Sequence, residues 1–95
     1  MIVASVACSV LPAKQQECCA TFARLLERTR SRPGCLAARL TCDPVDPYAL
    51  TLVSEWATRD ACDAYVSSAD FCVVKGMRFL MTADLKVVVD DVPGI

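Results

Sequence analysis

The segment between Pro12 and Pro33 limits this chain more than any other. In AKQQECCATFARLLERTRSR, residues Cys18, Phe22, Leu25, Leu26 and Thr29 recur at i, i+4, i+7, i+8 and i+11. That is one face of an amphipathic helix of roughly five turns. Its polar face carries Gln16, Arg24, Glu27 and Arg28, and Pro33-Gly34 stops it. A helix with one apolar stripe has to lie on something, and the segments to either side have strand character. Residues 2–11 are rich in β-formers and end at Pro12, which cannot continue a ladder.

After the helix, residues 35–43 set Leu36, Ala38, Leu40 and Cys42 against Cys35, Ala37, Arg39, Thr41 and Asp43, as in a half-buried strand. Asp43-Pro44-Val45-Asp46-Pro47 makes a turn, and residues 48–56 form the next strand of an antiparallel hairpin. Thr58 suits the N-cap of a second helix reaching about Val66, with Asp60 favourable in its first turn. Ser67 and Ser68 punctuate it, and residues 69–81 continue as a helical stretch interrupted by Gly76. A last strand spans residues 85–92, and Pro93-Gly94 closes it. The order β-α-β-β-α-β predicts an α+β fold, the ferredoxin-like split βαβ arrangement, with a four-stranded antiparallel sheet covered by helices on one face. At 95 residues, the whole chain, 1–95, makes one domain.

Such a sheet leaves its second face bare, and here composition bears on the argument. The chain is 55% hydrophobic, with a mean hydropathy of +0.40, more apolar than one small core requires. The first strand is apolar or small on both sides, and Leu85, Val87 and Val89 oppose Val88 and Val92 in the last. Two such sheets packed together would hide both bare faces, so a homodimer is expected. The net charge is -1, without a basic block, so no nucleic-acid partner is expected. Arg24, Arg28, Arg30 and Arg32 fall mostly on the solvent side of the first helix. No apolar run approaches the ~18 residues of a membrane span. The opening MIVASVACSVLPAK has no positively charged leading region and is too short before Cys8 for a signal sequence. A strand and a cytoplasmic protein are expected instead.

Seven cysteines stand at 8, 18, 19, 35, 42, 62 and 72, without a C-x2-C pair and in a chain without histidine. Zinc-ligand spacing is missing, and the usual partner that activates a catalytic thiol is missing too. They read as small hydrophobes in a reducing compartment. The stretch LTLVSEWATRDACDAY holds the one tryptophan, Trp56, and one of the two tyrosines, Tyr65. Strand alternation puts Trp56 with Leu50, Leu52 and Ser54, and Glu55 on the opposite face, where a salt bridge is its expected fate. Spacing leaves Trp56 as either core or pocket wall. Asp60 and Asp63 read as a helix-start charge and an exposed face; Arg59 and Lys75 read as solvated surface or as holders of an anionic substrate.

MIVASVACSVLPAKQQE, RSRPGCLAARL, DPVDPYALTLVSEW and TRDACDAYVSSADF resemble, in order and spacing, the antibiotic biosynthesis monooxygenase domain family. Its members carry a Lys-containing turn after the first strand, an EPGC-like turn, a D-P loop, a strand ending in E-x-W, and a helix with A-x-x-A-H followed by S-P-H-F. The resemblance covers about residues 1–92. It implies a dimeric α+β barrel with a pocket in each subunit between sheet and helices. It also implies oxidation of phenols and quinols by O2 without flavin or metal, hence no cofactor. An electron-rich phenolate can itself pass an electron to O2, so such a protein need only bind it, favour the anion and exclude water.

By that resemblance Trp56 and Tyr65 are the candidate catalytic residues, with Ser5, Ala7, Ser54, Asp70 and Phe71 around the substrate. Small Ser5, Ala7, Ser9, Ala37 and Ala38 would either leave room for a flat ligand or pack closely under a helix or across a dimer. Tyr65 stands where many members carry His, and Asp70 where many carry the second His. The haem-degrading branch of the superfamily places Asn, Trp and His where this chain has Ala7, Tyr65 and Lys75, and no histidine is present to hold iron. The leading expectation is a cofactor-independent monooxygenase of a small phenolic or quinol substrate. The alternatives are a non-catalytic dimer that binds a small metabolite, or an isomerase of a sugar-like metabolite, which some relatives perform.

Overall fold

The computed structural model describes residues 1–93, so Gly94 of the closing Pro93-Gly94 pair lies outside the described residues. In chain order come β1 (Ile2–Ser9), a 3-10 turn (Pro12–Lys14), α1 (Gln15–Arg30), β2 (Cys35–Cys42) and β3 (Ala49–Trp56). α2 (Arg59–Val66), α3 (Ala69–Gly76), a second 3-10 turn (Met77–Leu80) and β4 (Lys86–Asp91) follow. The strands lie in the order β2-β3-β1-β4, every neighbouring pair antiparallel. β3 separates β1 from β2, which is the split βαβ arrangement expected from the element order.

The buried residues of α1 are Cys18, Phe22, Leu25, Leu26 and Thr29, the same stripe the spacing defines. Burying Phe22 fully contributes about 1.5–3 kcal/mol, more than any helix propensity in the segment. The stripe lies on Ala4, Val6 and Cys8 of β1 and Leu50, Leu52 and Trp56 of β3, all in one core with Tyr65 and Phe71. The turn after α1 needs its glycine: Gly34 has φ of 83°, and a Cβ there would stand 2.6 Å from the Ala61 Cβ of α2. β2 and α2 can therefore approach closely at this point.

The boundaries differ from expectation where side chains intervene. β1 ends at Ser9 rather than at residue 11, although the Val10 amide still donates in register to the Tyr48 carbonyl at 2.9 Å and Val10 bridges to Met81. α1 ends at Arg30, before Ser31 and Arg32. Ser68 separates α2 from α3: its hydroxyl donates to the Tyr65 carbonyl at 2.6 Å and accepts from the Phe71 amide at 3.2 Å. One serine thus ends one helix and caps the next. In the β2–β3 turn, Asp43 Oδ1 accepts from the amides of Val45 and Asp46 at 2.8 and 3.1 Å.

The two faces of the sheet differ sharply. Ala4, Val6, Leu52, Ser54 and Trp56 face the helices and are buried. On the bare face, the ladder places Ser5 between Val53 and Val88, with Val3 between Glu55 and Asp90 and Ala7 between Thr51 and Lys86. The last strand is less apolar on this face than expected, because only Val88 of its outward residues is aliphatic. Arg39 and Glu55 pair across it at 3.5 Å. Among the described residues no helix is long and apolar enough to cross a membrane.

Candidate functional site

Three aromatic rings meet where the end of β3 passes under the α2–α3 joint. Trp56 and Tyr65 stack with centroids 4.8 Å apart and planes at 26°, and Phe71 meets Tyr65 edge-on at 5.2 Å and 76°. Both arrangements are favourable for aromatic quadrupoles. Trp56 and Phe71 are 0% exposed and Tyr65 2%. α2 directs Cys62 and Tyr65 inward from a helix capped by Thr58, whose side chain accepts from the Ala61 amide at 3.2 Å.

The polar atoms of this cluster are few and matched. Trp56 Nε1 donates to Ser54 Oγ at 2.9 Å, two residues back on the same face of β3. The Tyr65 hydroxyl is approached by the hydroxyls of Ser54 and Thr29. Thr29 Oγ1 in turn donates to the Leu25 carbonyl at 2.8 Å. Burial is the main influence on the phenol and raises its pKa above the ordinary 10.0, although the two hydroxyls pull it back. At neutral pH Tyr65 is therefore a neutral hydrogen-bonding group, not a base.

The sequence-derived site residues do not all come together. Trp56, Tyr65, Ser54 and Phe71 share the helix-covered side. Ser5 and Ala7 lie on the opposite face of the sheet, because strand alternation sends Ala4, Val6 and Cys8 inward in their place. They cannot line the same cavity within one subunit. Asp70 points outward from the first turn of α3 to Arg28 of α1, whose Nε stands 3.0 and 3.2 Å from its two oxygens. Glu55 takes its expected salt bridge with Arg39, Asp63 pairs with Arg59 at 3.7 Å, and the Lys75 ammonium lies 5.4 Å over the Phe71 ring. The four arginines keep to the mostly solvent-facing side expected of them: Arg24, Arg28 and Arg30 are exposed and Arg32 is half-buried, while Arg30 Nε also donates to the Ala38 carbonyl at 2.9 Å. Thr29, absent from the sequence-derived set, is buried in the same core beside Tyr65. Its signal was a hydroxyl on an otherwise apolar helical stripe.

The sequence profile of the antibiotic biosynthesis monooxygenase family matches residues 1–74, which span β1 to α3 and every residue of this cluster. The chain belongs to that family. A crystal structure described as an antibiotic biosynthesis monooxygenase superposes with a TM-score of 0.86 at 26% identity, covering 99% of this chain and 100% of the other. A putative family member from Deinococcus radiodurans gives a TM-score of 0.91 at 16% identity over 100% and 95% of the two chains. One from Caulobacter crescentus gives 0.87 at 22% over 98% and 90%. These last two likenesses establish the fold. No curated protein matches the chain.

Two openings lie beside the family's sheet–helix core. A cleft of about 430 Å³ is lined by Arg32, Pro33, Gly34, Thr58, Asp60, Ala61 and Ala64, over the outer side of α2. A second, of about 260 Å³, lies by Ala7, Ser9, Thr51, Asp84 and Lys86 at one end of the sheet. Cys8, Cys18 and Cys62 are buried, as the reading of small hydrophobes expects, whereas Cys42 and Cys72 are exposed. Burial, with Cys19 nearby, pushes Cys8 up to about 11, and burial with Cys8 nearby does the same to Cys18. Neutral at physiological pH, these two are poor nucleophiles. Among the described residues no cluster of His, Cys, Asp or Glu is arranged to hold a metal ion.

Proposed function

We propose that this member of the monooxygenase family acts as a homodimer and oxidises a small phenol or quinol with O2, the substrate itself supplying the electrons. For a simple phenol, the reaction converts phenol and O2 into the para-quinone and water. The substrate gives four electrons: one oxygen atom enters the ring as a carbonyl, and the other leaves as water with the hydrogens lost from carbon and hydroxyl. The protein's part is to orient the ring, hydrogen-bond its oxygen and keep water away.

The observation that carries this reading is the Tyr65 hydroxyl, held in an apolar core beside Ser54 and stacked on Trp56. A neutral phenol donor in a water-excluded site favours a substrate phenolate far more than the same group would in bulk solvent. Trp56 serves as the wall on which a flat ring rests. Since all three rings are covered, a substrate enters only when an element moves. α3 covers the edge of Tyr65 with Phe71, and the Arg28–Asp70 pair ties it to α1.

The homodimer reading rests on the bare sheet face, where Val3, Ser5, Val53 and Val88 form a small apolar centre and Arg39, Glu55, Lys86 and Asp90 a charged rim. That is the anatomy of a protein interface. A second reading, a dimer that binds a metabolite without turning it over, is favoured by the closed aromatic cluster and by the separate cleft beside Arg32. Oxygen uptake by metal-stripped protein against hydroquinones, anthrones and catechols separates the two. Uptake that needs folded protein and drops by about 10²-fold in Tyr65→Phe is the expected result. Full turnover in that variant removes Tyr65 from the reaction, and no uptake across the panel favours the binding dimer.

A further inference from the structure

Ser54 and Trp56 share the helix-covered face of β3, and the indole folds back along the strand so that Nε1 donates to Ser54 Oγ at 2.9 Å. Their neighbours in the ladder offer no substitute for that acceptor. Ser54 lies between Ala4 of β1 and Ala38 of β2, both buried, and Trp56 between Ile2 and Cys35. Among these side chains only Cys35 carries a polar atom, a weakly accepting sulfur whose hydrogen goes to the Ala37 carbonyl at 3.5 Å. An indole is lopsided about its Cβ–Cγ bond and rests in two broad orientations, roughly a half-turn apart. One puts the N–H on Ser54. The other exchanges the N–H side of the ring with the six-membered side and leaves the N–H facing away from the hydroxyl. Losing that bond in a dry core disfavours the flipped ring by about tenfold or more.

We propose that Ser54 is a positioning residue for Trp56: by accepting the indole N–H it holds the ring in the one orientation that stacks it on Tyr65. The stack has centroids 4.8 Å apart and planes at 26°. A half-turn of the indole would keep the plane but shift the centroid. The inference rests on the monooxygenase reading for its use, where Trp56 is the wall of the site. With its N–H spent on Ser54, that wall offers a substrate a π face and no hydrogen-bond donor. A flat, electron-rich ring therefore settles on it by stacking, in a pose set before it arrives, and its oxygen finds its partner elsewhere. Such a wall selects phenols over polar metabolites without an aromatic ring.

A buried serine that only adds to stability would be bonded in the same way, and the test distinguishes the two. The chain has one tryptophan, so the indole N–H resonance, and the fluorine resonance of incorporated 5-fluorotryptophan, report Trp56 alone. In Ser54→Ala the indole N–H exchanges with D2O about tenfold faster relative to the slowest backbone amides of α1, which report opening of the whole fold. The fluorine signal divides or broadens as the second orientation fills, and Ser54→Thr restores both readings. An alanine variant whose indole and α1 amides speed up by the same factor, with one sharp fluorine signal, makes Ser54 a stability residue and overturns the proposal. Should the alanine variant fail to fold, Ser54→Cys presents a weaker acceptor in its place, and an exchange ratio equal to the parent's there overturns it equally. Because these measurements need no substrate, their failure is distinct from an absence of oxygen uptake, which would count against the function and leave the oriented indole standing.

Discussion

β1 and β3 present one set of residues to the helices and the alternate set to open space, and the two faces could hardly be less alike. Inward, Ala4, Val6, Leu52, Ser54 and Trp56 are at most 4% exposed and hold a stacked aromatic cluster. Outward, Val3, Ser5, Ala7 and Val53 are half-buried or exposed, and charged residues surround them. A single period-2 pattern thus separates the place we propose for chemistry from the place we propose for assembly. Substitutions one residue apart along a strand should therefore act on different properties.

The largest effect belongs to the covered face. Trp56→Ala removes a fully buried ring that stacks on Tyr65 and donates to Ser54. It is expected to lower unfolding free energy by about 3–5 kcal/mol in urea titrations, because the cavity and the unpaired Ser54 add to the lost transfer term. A loss below about 1 kcal/mol would mean that the ring is not part of the core.

The same face sets the alkaline limit of stability. Cys8 and Cys18 are pushed from 9.0 to about 11 by burial, so folding favours their neutral thiols. Their contribution is fully present below pH 9.0 and is lost as pH rises through about 11. Unfolding free energy followed against pH should fall across that window, and the double variant Cys8→Ala/Cys18→Ala should flatten the fall. An equally steep fall in the double variant would assign it to other groups; the raised pKa of Tyr65 acts in the same direction.

What the sequence made legible follows the same division. The stripe Cys18, Phe22, Leu25, Leu26 and Thr29 was readable because helical periodicity and burial are one physical fact seen twice. The companionship of Ser54 with Trp56 was readable from alternation. Alternation says which residues share a face, but not which face the helices cover, and so Ser5 and Ala7 were grouped with side chains that they cannot reach. Asp70 was assigned by resemblance to the substrate; its actual neighbour, Arg28, lies 42 residues away, a pairing no local pattern encodes.

The Arg28–Asp70 pair gives a smaller and more local effect. Arg28 is 69% exposed and Asp70 17%, so the pair contributes no more than about 1 kcal/mol to folding. Its position across α1 and α3, beside Phe71, gives it more weight in access than in stability. Asp70→Asn should raise acrylamide quenching of Trp56 fluorescence while the urea midpoint moves little. Quenching identical to the parent would free α3 from any part in admitting a substrate.

The smallest change to the chain's own stability is expected on the open face. Val88 is 38% exposed in the single subunit and lies beside Ser5 in the ladder. An aspartate there meets solvent in the monomer, so Val88→Asp should shift the intrinsic folding free energy within about 0.5 kcal/mol. In a sheet-to-sheet dimer the same carboxylate would be buried opposite its own symmetry mate, unpaired and facing a like charge. Assembly should then be lost although the fold is kept, and light scattering across a size-exclusion peak reads the first while circular dichroism reads the second. Association also stabilises by mass action, so the parent's unfolding midpoint should rise with protein concentration and the variant's should not. A variant that remains dimeric would move the interface off this face, and the contrast between the two sides of the sheet would then be one of wetness alone.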